Sequence, residues 1–212
     1  MSAAASPAAA RLMLITDAAR LPRAGMLDCL ARWLFAAQPG SIVVQLREPA
    51  LGARELVEFG SALKERARAA EQSFIVNDRL DVAVVLGADG AHLRGDSVSV
   101  VAARRFLGER AWVSVAHHEP AIEPELGADA VVFSPVLEAR KGRAAHGTLV
   151  LSRFTERLAT LPSPPAIFAL GGVGPGSAAE CIRAGARGVA MLGAVFDPRA
   201  PAVVLGELGL CR

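Results

Sequence analysis

Two glycine clusters late in the chain, Gly171-Gly172-Val173-Gly174 and Gly193-Ala194, have the composition of loops that hold phosphate. Glycine has no Cβ, so main-chain N–H groups can approach an anion closely, and a helix starting nearby adds its free amides and dipole. Tight turning alone is the plainer use of such glycines. Gln45 and Arg47 lie two residues apart, so on a strand both point to one side while Val44 and Leu46 point to the other. A guanidinium beside a side-chain amide suits an anionic ligand. An ion pair of Arg47 with Glu48 or Asp78 is the structural alternative. In Asn77-Asp78-Arg79, Asp78 can hold a hard cation or cap a helix beginning at Leu80. His92, between Ala91 and Leu93, reads as a buried, hydrogen-bonded core histidine. His117 and His118 are imidazoles able to carry protons near neutral pH, or simply solvated loop residues. Arg140, Lys141 and Arg143 form either a solvated face or a clamp that closes on phosphate.

These residues recur at the ends of short apolar runs. The runs cover 12–17, 41–48, 74–78, 91–94, 112–117, 130–136, 166–172 and 188–196, and several are nearly continuous in Val, Ile and Leu, as strands buried on both faces require. Helical patterns fill the gaps at 26–35, 53–70, 80–86, 98–107, 149–158 and 177–184. The clearest is 53–70, with Leu56, Phe59, Gly60 and Leu63 on one face and charge on the other. Eight strands alternating with helices or short substitutes predict a single compact (β/α)8 TIM barrel over residues 11–212, behind a flexible Ala-rich tail at 1–10. A doubly wound open sheet is the runner-up, but no G-x-G-x-x-G follows the first strand. In a barrel the site lies at the carboxyl ends of the strands, and phosphate sites use the seventh and eighth loops, where both glycine clusters fall.

Composition narrows the partners. Of 212 residues, 23 are Lys or Arg and 21 Asp or Glu, a net charge of +2 that gives no strong pull on nucleic acid or a membrane surface. Aromatics are 5% with no Tyr, which disfavours base-stacking platforms. The apolar stretch 158–179 is broken by prolines and glycines and makes a poor membrane span. Cys29, Cys181 and Cys211 form no CxxC pair and read as reduced thiols of a cytoplasmic protein. Nothing in these patterns sets an oligomeric state.

The segments Gln45-Leu46-Arg47-Glu48, Val76-Asn77-Asp78-Arg79-Leu80-Asp81-Val82-Ala83, Gly87-Ala88-Asp89-Gly90-Ala91-His92-Leu93 and Ala169-Leu170-Gly171-Gly172-Val173 together resemble the thiamine phosphate synthase / TenI superfamily, over roughly 12–196. The resemblance implies a (β/α)8 barrel and, for a synthase, the joining of a pyrimidine pyrophosphate to a thiazole phosphate with release of pyrophosphate. It implies that Gln45, Arg47 and Asn77 contact the pyrimidine and its pyrophosphate, that Ser114 lies near the reacting pyrimidine, and that Lys141 reaches the pyrophosphate. Gly171, Gly172, Gly193 and Ala194 would cradle the thiazole phosphate. Asp78 would be one Mg²⁺ ligand, with Asp96 the candidate for the second.

Three departures fall on the pyrophosphate half. Pro49 stands where the synthase pattern has Lys, and Ser97 where it has the second metal Asp, with Asp96 one residue early. Glu138-Ala139-Arg140 replaces the Thr-rich turn before the lysine and is one residue short. Losing one electrostatic contact to a leaving group can cost about 10²–10³ in rate. The chain therefore resembles the TenI branch more closely, whose members include thiazole tautomerases that need an acid/base group and no metal. The tautomerase histidine is expected at position 116, which is Ala, so His117 serves only if the strand has ended or bulged, and His118 follows it. Three expectations result: a thiazole-phosphate barrel of TenI type with His117 or His118 as proton carrier beside Arg47 and with no cofactor; a divergent Mg²⁺-dependent synthase; and a non-catalytic barrel that binds a phosphorylated ligand.

Overall fold

The computed structural model describes residues 6–125, 127–139 and 142–212. Eight parallel strands close into a barrel in chain order: β1 (Leu12–Ile15), β2 (Ile42–Leu46), β3 (Ser73–Asn77), β4 (Gly90–Leu93), β5 (Trp112–His117), β6 (Ala130–Phe133), β7 (Ala166–Ala169) and β8 (Gly188–Met191). Closure comes from β1 pairing with both β2 and β8. The helices are α1 (Arg23–Ala36), α2 (Ala53–Ala69), α3 (Leu80–Leu86), α4 (Val100–Leu107), α5 (Gly147–Leu158), α6 (Ala178–Arg183) and α7 (Ala200–Leu208). Among the described residues no helix joins β5 to β6, and none is long and apolar enough to cross a membrane.

Strand alternation divides the core in two. Leu12, Leu14, Val44 and Phe74 face outward and pack with Met26, Leu30, Trp33 and Leu63 of the helices. Met13, Val43, Ile75, Trp112, Ala130 and Phe168 point inward and fill the barrel from below. Higher up, the inward positions change character. Gln45, His92 and Ser114 are all buried there, and the strands lead on to Arg47, Asn77, Arg94 and His118. The apolar lower layers make a rigid floor, and the polar upper layer stands on it.

Several boundaries differ from expectation for physical reasons. The sixth strand stops at Phe133 rather than 136, because Pro135 has no N–H for the ladder. The chain beyond it crosses to the next loop instead, with Val136 N and Leu137 N donating to Leu170 O and Gly171 O at 2.9 and 2.8 Å. The eighth run ends at Met191 and passes into a 3-10 turn, Ala194–Phe196. Within the expected tail, Pro7–Ala9 form a 3-10 turn capped by Ser6, and Ala10 is buried in the inner core. α7 went unpredicted: it is apolar nearly all round, so it carries no helical period to read.

Candidate active site at the barrel mouth

A cavity of about 680 Å³ opens at the carboxyl ends of the strands. One wall is polar, with Arg47 after β2, Asn77 of β3, and Arg94 and Asp96 after β4. Arg143 also lines the cavity. Opposite stand Gly171 and Leu192, and His118 with Ser134 lies between the two sides. Gln45 and His92 form the floor. Arg140 and Lys141 lie outside the described residues.

Arg47 forms no ion pair among the described residues, so neither structural alternative for it is realised. Its backbone amide donates to Thr16 Oγ1 at 2.9 Å, which leaves the guanidinium to the cavity. Glu48 turns to the β1–α1 loop and accepts from Ala18 N at 2.9 and 3.0 Å. Burial raises its carboxyl above the ordinary range, against the lowering effect of its hydrogen bonds to Thr16 and Ala18. Gln45 is fully buried, its Nε2 against Met13 Sδ at 3.2 Å.

His92 and Ser114 form a buried pair, Nδ1 to Oγ 2.8 Å. Burial above all, and then the Arg47 charge, push the His92 imidazole down to about 4, so it is neutral at physiological pH. His92 is thus both the satisfied core histidine and part of the cavity floor. Ser114 is fully buried and serves as its partner rather than lining the cavity.

The two adjacent histidines part company. β5 runs unbroken through His117, so that side chain faces the helix layer. Its Nε2–H donates to Glu119 O and Ile122 O at 2.8 and 3.0 Å, and its ring stacks on Phe154 at 5.2 Å between centroids. Burial lowers its pKa below the ordinary value, against the carbonyl bonds that raise it. The condition under which His117 would reach the site is not met. His118 is the next inward position after Ala116, and both line the cavity. Its Nδ1 lies 2.8 Å from Ser134 O. A carbonyl only accepts, so the Nδ1–H donates to it, with Ser134 Oγ 3.1 Å from the same nitrogen, and in the neutral ring Nε2 is then the basic nitrogen. Nε2 has no protein partner among the described residues. His146 Nε2–H donates to His118 O at 3.0 Å and braces the backbone from the far side.

The glycine rim is built from turns that only glycine adopts without strain. Gly171 and Gly172 adopt φ +103° and +73°, and a Cβ on Gly172 would stand 2.6 Å from Glu138 Cβ. Gly193 opens the 3-10 turn Ala194–Phe196. The amides of Gly171, Gly172, Gly193 and Ala194 donate to no protein acceptor among the described residues. Arg20, which sequence patterns did not single out, lies alongside: a Cβ on Gly193 would be 3.7 Å from its Nη1. The start of α6, expected to share in phosphate binding, is already satisfied. Gly176 N, Ala178 N and Ala179 N donate to the carboxylate of Glu207 on α7 at 2.5, 3.0 and 3.4 Å. On this rim, the unpaired amides among the described residues are those of the glycine turns and not those that open α6.

Asp78 does not cap α3, whose N-cap is Arg79 without a side-chain hydrogen bond. Asp78 has a left-handed backbone, φ +62°, and its Oδ2 lies 3.4 Å from Arg94 Nε. Its Oδ1 is buried with no hydrogen-bond partner among the described residues. Arg94 also grips Asp96 through two bonds, Nε to Oδ1 3.0 Å and Nη2 to Oδ2 2.9 Å. Both candidate metal carboxylates thus share one guanidinium. Among the described residues no group of three or more His, Cys, Asp or Glu side chains is arranged to hold a metal ion.

Residues 12–195 match the sequence model of a family described as thiamine monophosphate synthase. A thiamine-phosphate synthase of Moorella thermoacetica is 37% identical over 160 residues, which cover 74% of this chain and 75% of the relative. A thiamine-phosphate synthase of Roseiflexus is 35% identical over 193 residues, covering 88% and 80%. Among solved structures, thiamine phosphate pyrophosphorylase from Pyrococcus furiosus superposes with a TM-score of 0.79 at 21% identity, covering 94% of this chain and 95% of that one.

Proposed function

Because the chain belongs to the thiamine monophosphate synthase family, we propose that its barrel mouth takes a phosphorylated thiazole and that His118 moves a proton on it, as in a TenI-type tautomerase. The observation that carries this reading is the placing of His118 on the cavity wall, with Nδ1 held 2.8 Å from Ser134 O and Nε2 without a protein partner among the described residues. The ligand's phosphate sits on the amides of Gly171, Gly172, Gly193 and Ala194, with Arg20 beside them, and Arg47 binds the opposite end. Nε2 takes a proton from one atom of the ring system and returns it at another. Atoms balance, and no second substrate or cofactor enters.

A second reading is favoured by the relatives, which are thiamine-phosphate synthases, and by Arg47, Arg94 and Arg143 meeting on one cavity. It has the barrel join a pyrimidine pyrophosphate to the thiazole phosphate, the arginines holding the departing pyrophosphate. That reaction implies Mg²⁺. Asp78 and Asp96 are committed to Arg94, and among the described residues Asp78 Oδ1 is the one buried side-chain oxygen without a partner, so the residues do not fit the ion as they stand.

One experiment separates the readings. Thiazole carboxylate phosphate alone is expected to be isomerised, with turnover falling about 10²–10⁴-fold in His118→Ala and ligand affinity retained. His117→Ala lowers stability and leaves turnover near wild type. Pyrophosphate released from the two substrates with Mg²⁺ would install the synthase reading instead. Binding with no turnover of either kind leaves a ligand-binding barrel.

A further inference from the structure

We propose that Arg94 is the built-in cation of the polar wall, so that this wall binds a phosphate or pyrophosphate group without a divalent metal. The inference rests on the mouth being an anion site and not on which reaction follows.

Asp78 and Asp96 come from different loops, after β3 and after β4, yet both oxygens of Asp96 and one of Asp78 converge on the Arg94 guanidinium. A hard cation such as Mg²⁺ needs about six oxygens near 2.1 Å. Here the space between the carboxylates already holds a positive group. A metal arriving there would meet like charge and would have to expel Arg94 from both partners.

The guanidinium is not used up. It has five N–H donors, of which Nε and one on Nη2 are spent on the two acids. Nη1 makes no protein hydrogen bond among the described residues, and Arg94 lines the cavity with its side chain half exposed. Arg47 lines the same cavity with no carboxylate partner among the described residues, and Arg143 joins them there. The two acids fix the fork of Arg94 in place, and bidentate geometry suits a phosphate better than a compact ammonium does. Pro49 stands where the synthase pattern has a lysine, and Arg94, from the loop after β4, adds a cation to the cavity wall.

Inorganic pyrophosphate titrated calorimetrically into the full chain tests this. The wild type is expected to bind in EDTA, with affinity changed by less than about threefold on adding Mg²⁺. Arg94→Gln, checked for folding by circular dichroism, weakens binding in EDTA by about tenfold or more, and Arg94→Lys recovers part of it. Inorganic phosphate at the glycine rim, read as sensitivity to Gly172→Ala, is untouched by Arg94→Gln. A wild type that needs Mg²⁺ to bind pyrophosphate, an Arg94→Gln protein that binds as well as wild type, or no pyrophosphate binding under either condition would each overturn the proposal. Thiazole phosphate binding and turnover, measured separately, show whether the proposed function stands regardless.

Discussion

Two buried or half-buried imidazoles in one barrel differ in use because they differ in what surrounds them. His92 faces Ser114 and the Arg47 charge in a closed floor, and burial holds its pKa at about 4 against an ordinary 6.5. Its folded pKa is depressed, so between pH 6.5 and 4 the unfolded chain binds a proton that the folded chain refuses. Stability from this group is intact above pH 6.5 and is lost as pH falls toward 4, by roughly 3 kcal/mol in all. Urea denaturation across that window is expected to show the loss in wild type and a flatter profile in His92→Asn, which cannot titrate. A profile unchanged by the substitution would mean that His92 is not neutral in the fold. His118, two inward positions beyond Ser114, keeps an imidazole nitrogen toward the cavity. Parity along β5 decides between the neighbours, and it was readable once Ser114 was taken as inward: 114, 116 and 118 share a face, and 117 does not.

At the level of elements, the strands and their barrel order were legible, and side-chain contacts between distant elements were not. Continuous Val, Ile and Leu mark strands covered on both sides, so eight runs and their polar ends emerged from local pattern. α7 lacks a polar face, and its Glu207 acts 28 to 31 residues away, on the amides that open α6. No periodicity signals such a contact. Its consequence is that an internal carboxylate fills the anion site of α6, while Gly193 and Ala194, where the 3-10 turn begins, keep their amides unpaired among the described residues. Glu207→Ala is therefore expected to cost about 1–2 kcal/mol through the lost cap, a fall in Tm of roughly 2–8 °C. Affinity for inorganic phosphate stays within about threefold of wild type, since the cap and the binding turn are separate sites. Phosphate binding that collapsed with Glu207 would relocate the anion to α6. The Asp78–Arg94–Asp96 bridge was hidden for the same reason: it joins two loops whose side chains meet only through the β3–β4 pairing.

Across the whole molecule, the proposed ligand spans the seam at which the barrel closes. The glycine turns follow β7 and β8, Arg20 comes from the loop after β1, and Arg47 follows β2, so one small molecule bridges the β8–β1–β2 junction. Opening that junction unzips the closed sheet, because every other strand is paired only in chain order. A ligand bound there stabilises the folded state as a unit, by RT ln(1 + [L]/Kd), about 2.7 kcal/mol at a concentration of 100 Kd. For a domain of this size that raises Tm by roughly 5–11 °C. Thiazole phosphate is expected to produce this shift equally in EDTA and in Mg²⁺, and equally in His118→Ala, because the proton carrier contributes to turnover and not to the phosphate grip. A shift seen only with Mg²⁺ would move the binding energy to a metal-bridged pyrophosphate wall and favour the synthase reading. A shift abolished in His118→Ala would make that imidazole a binding group first. The same titration in Gly172→Ala, where a Cβ would press on Glu138, should remove most of the stabilisation, since it distorts the turn that presents two of the four amides.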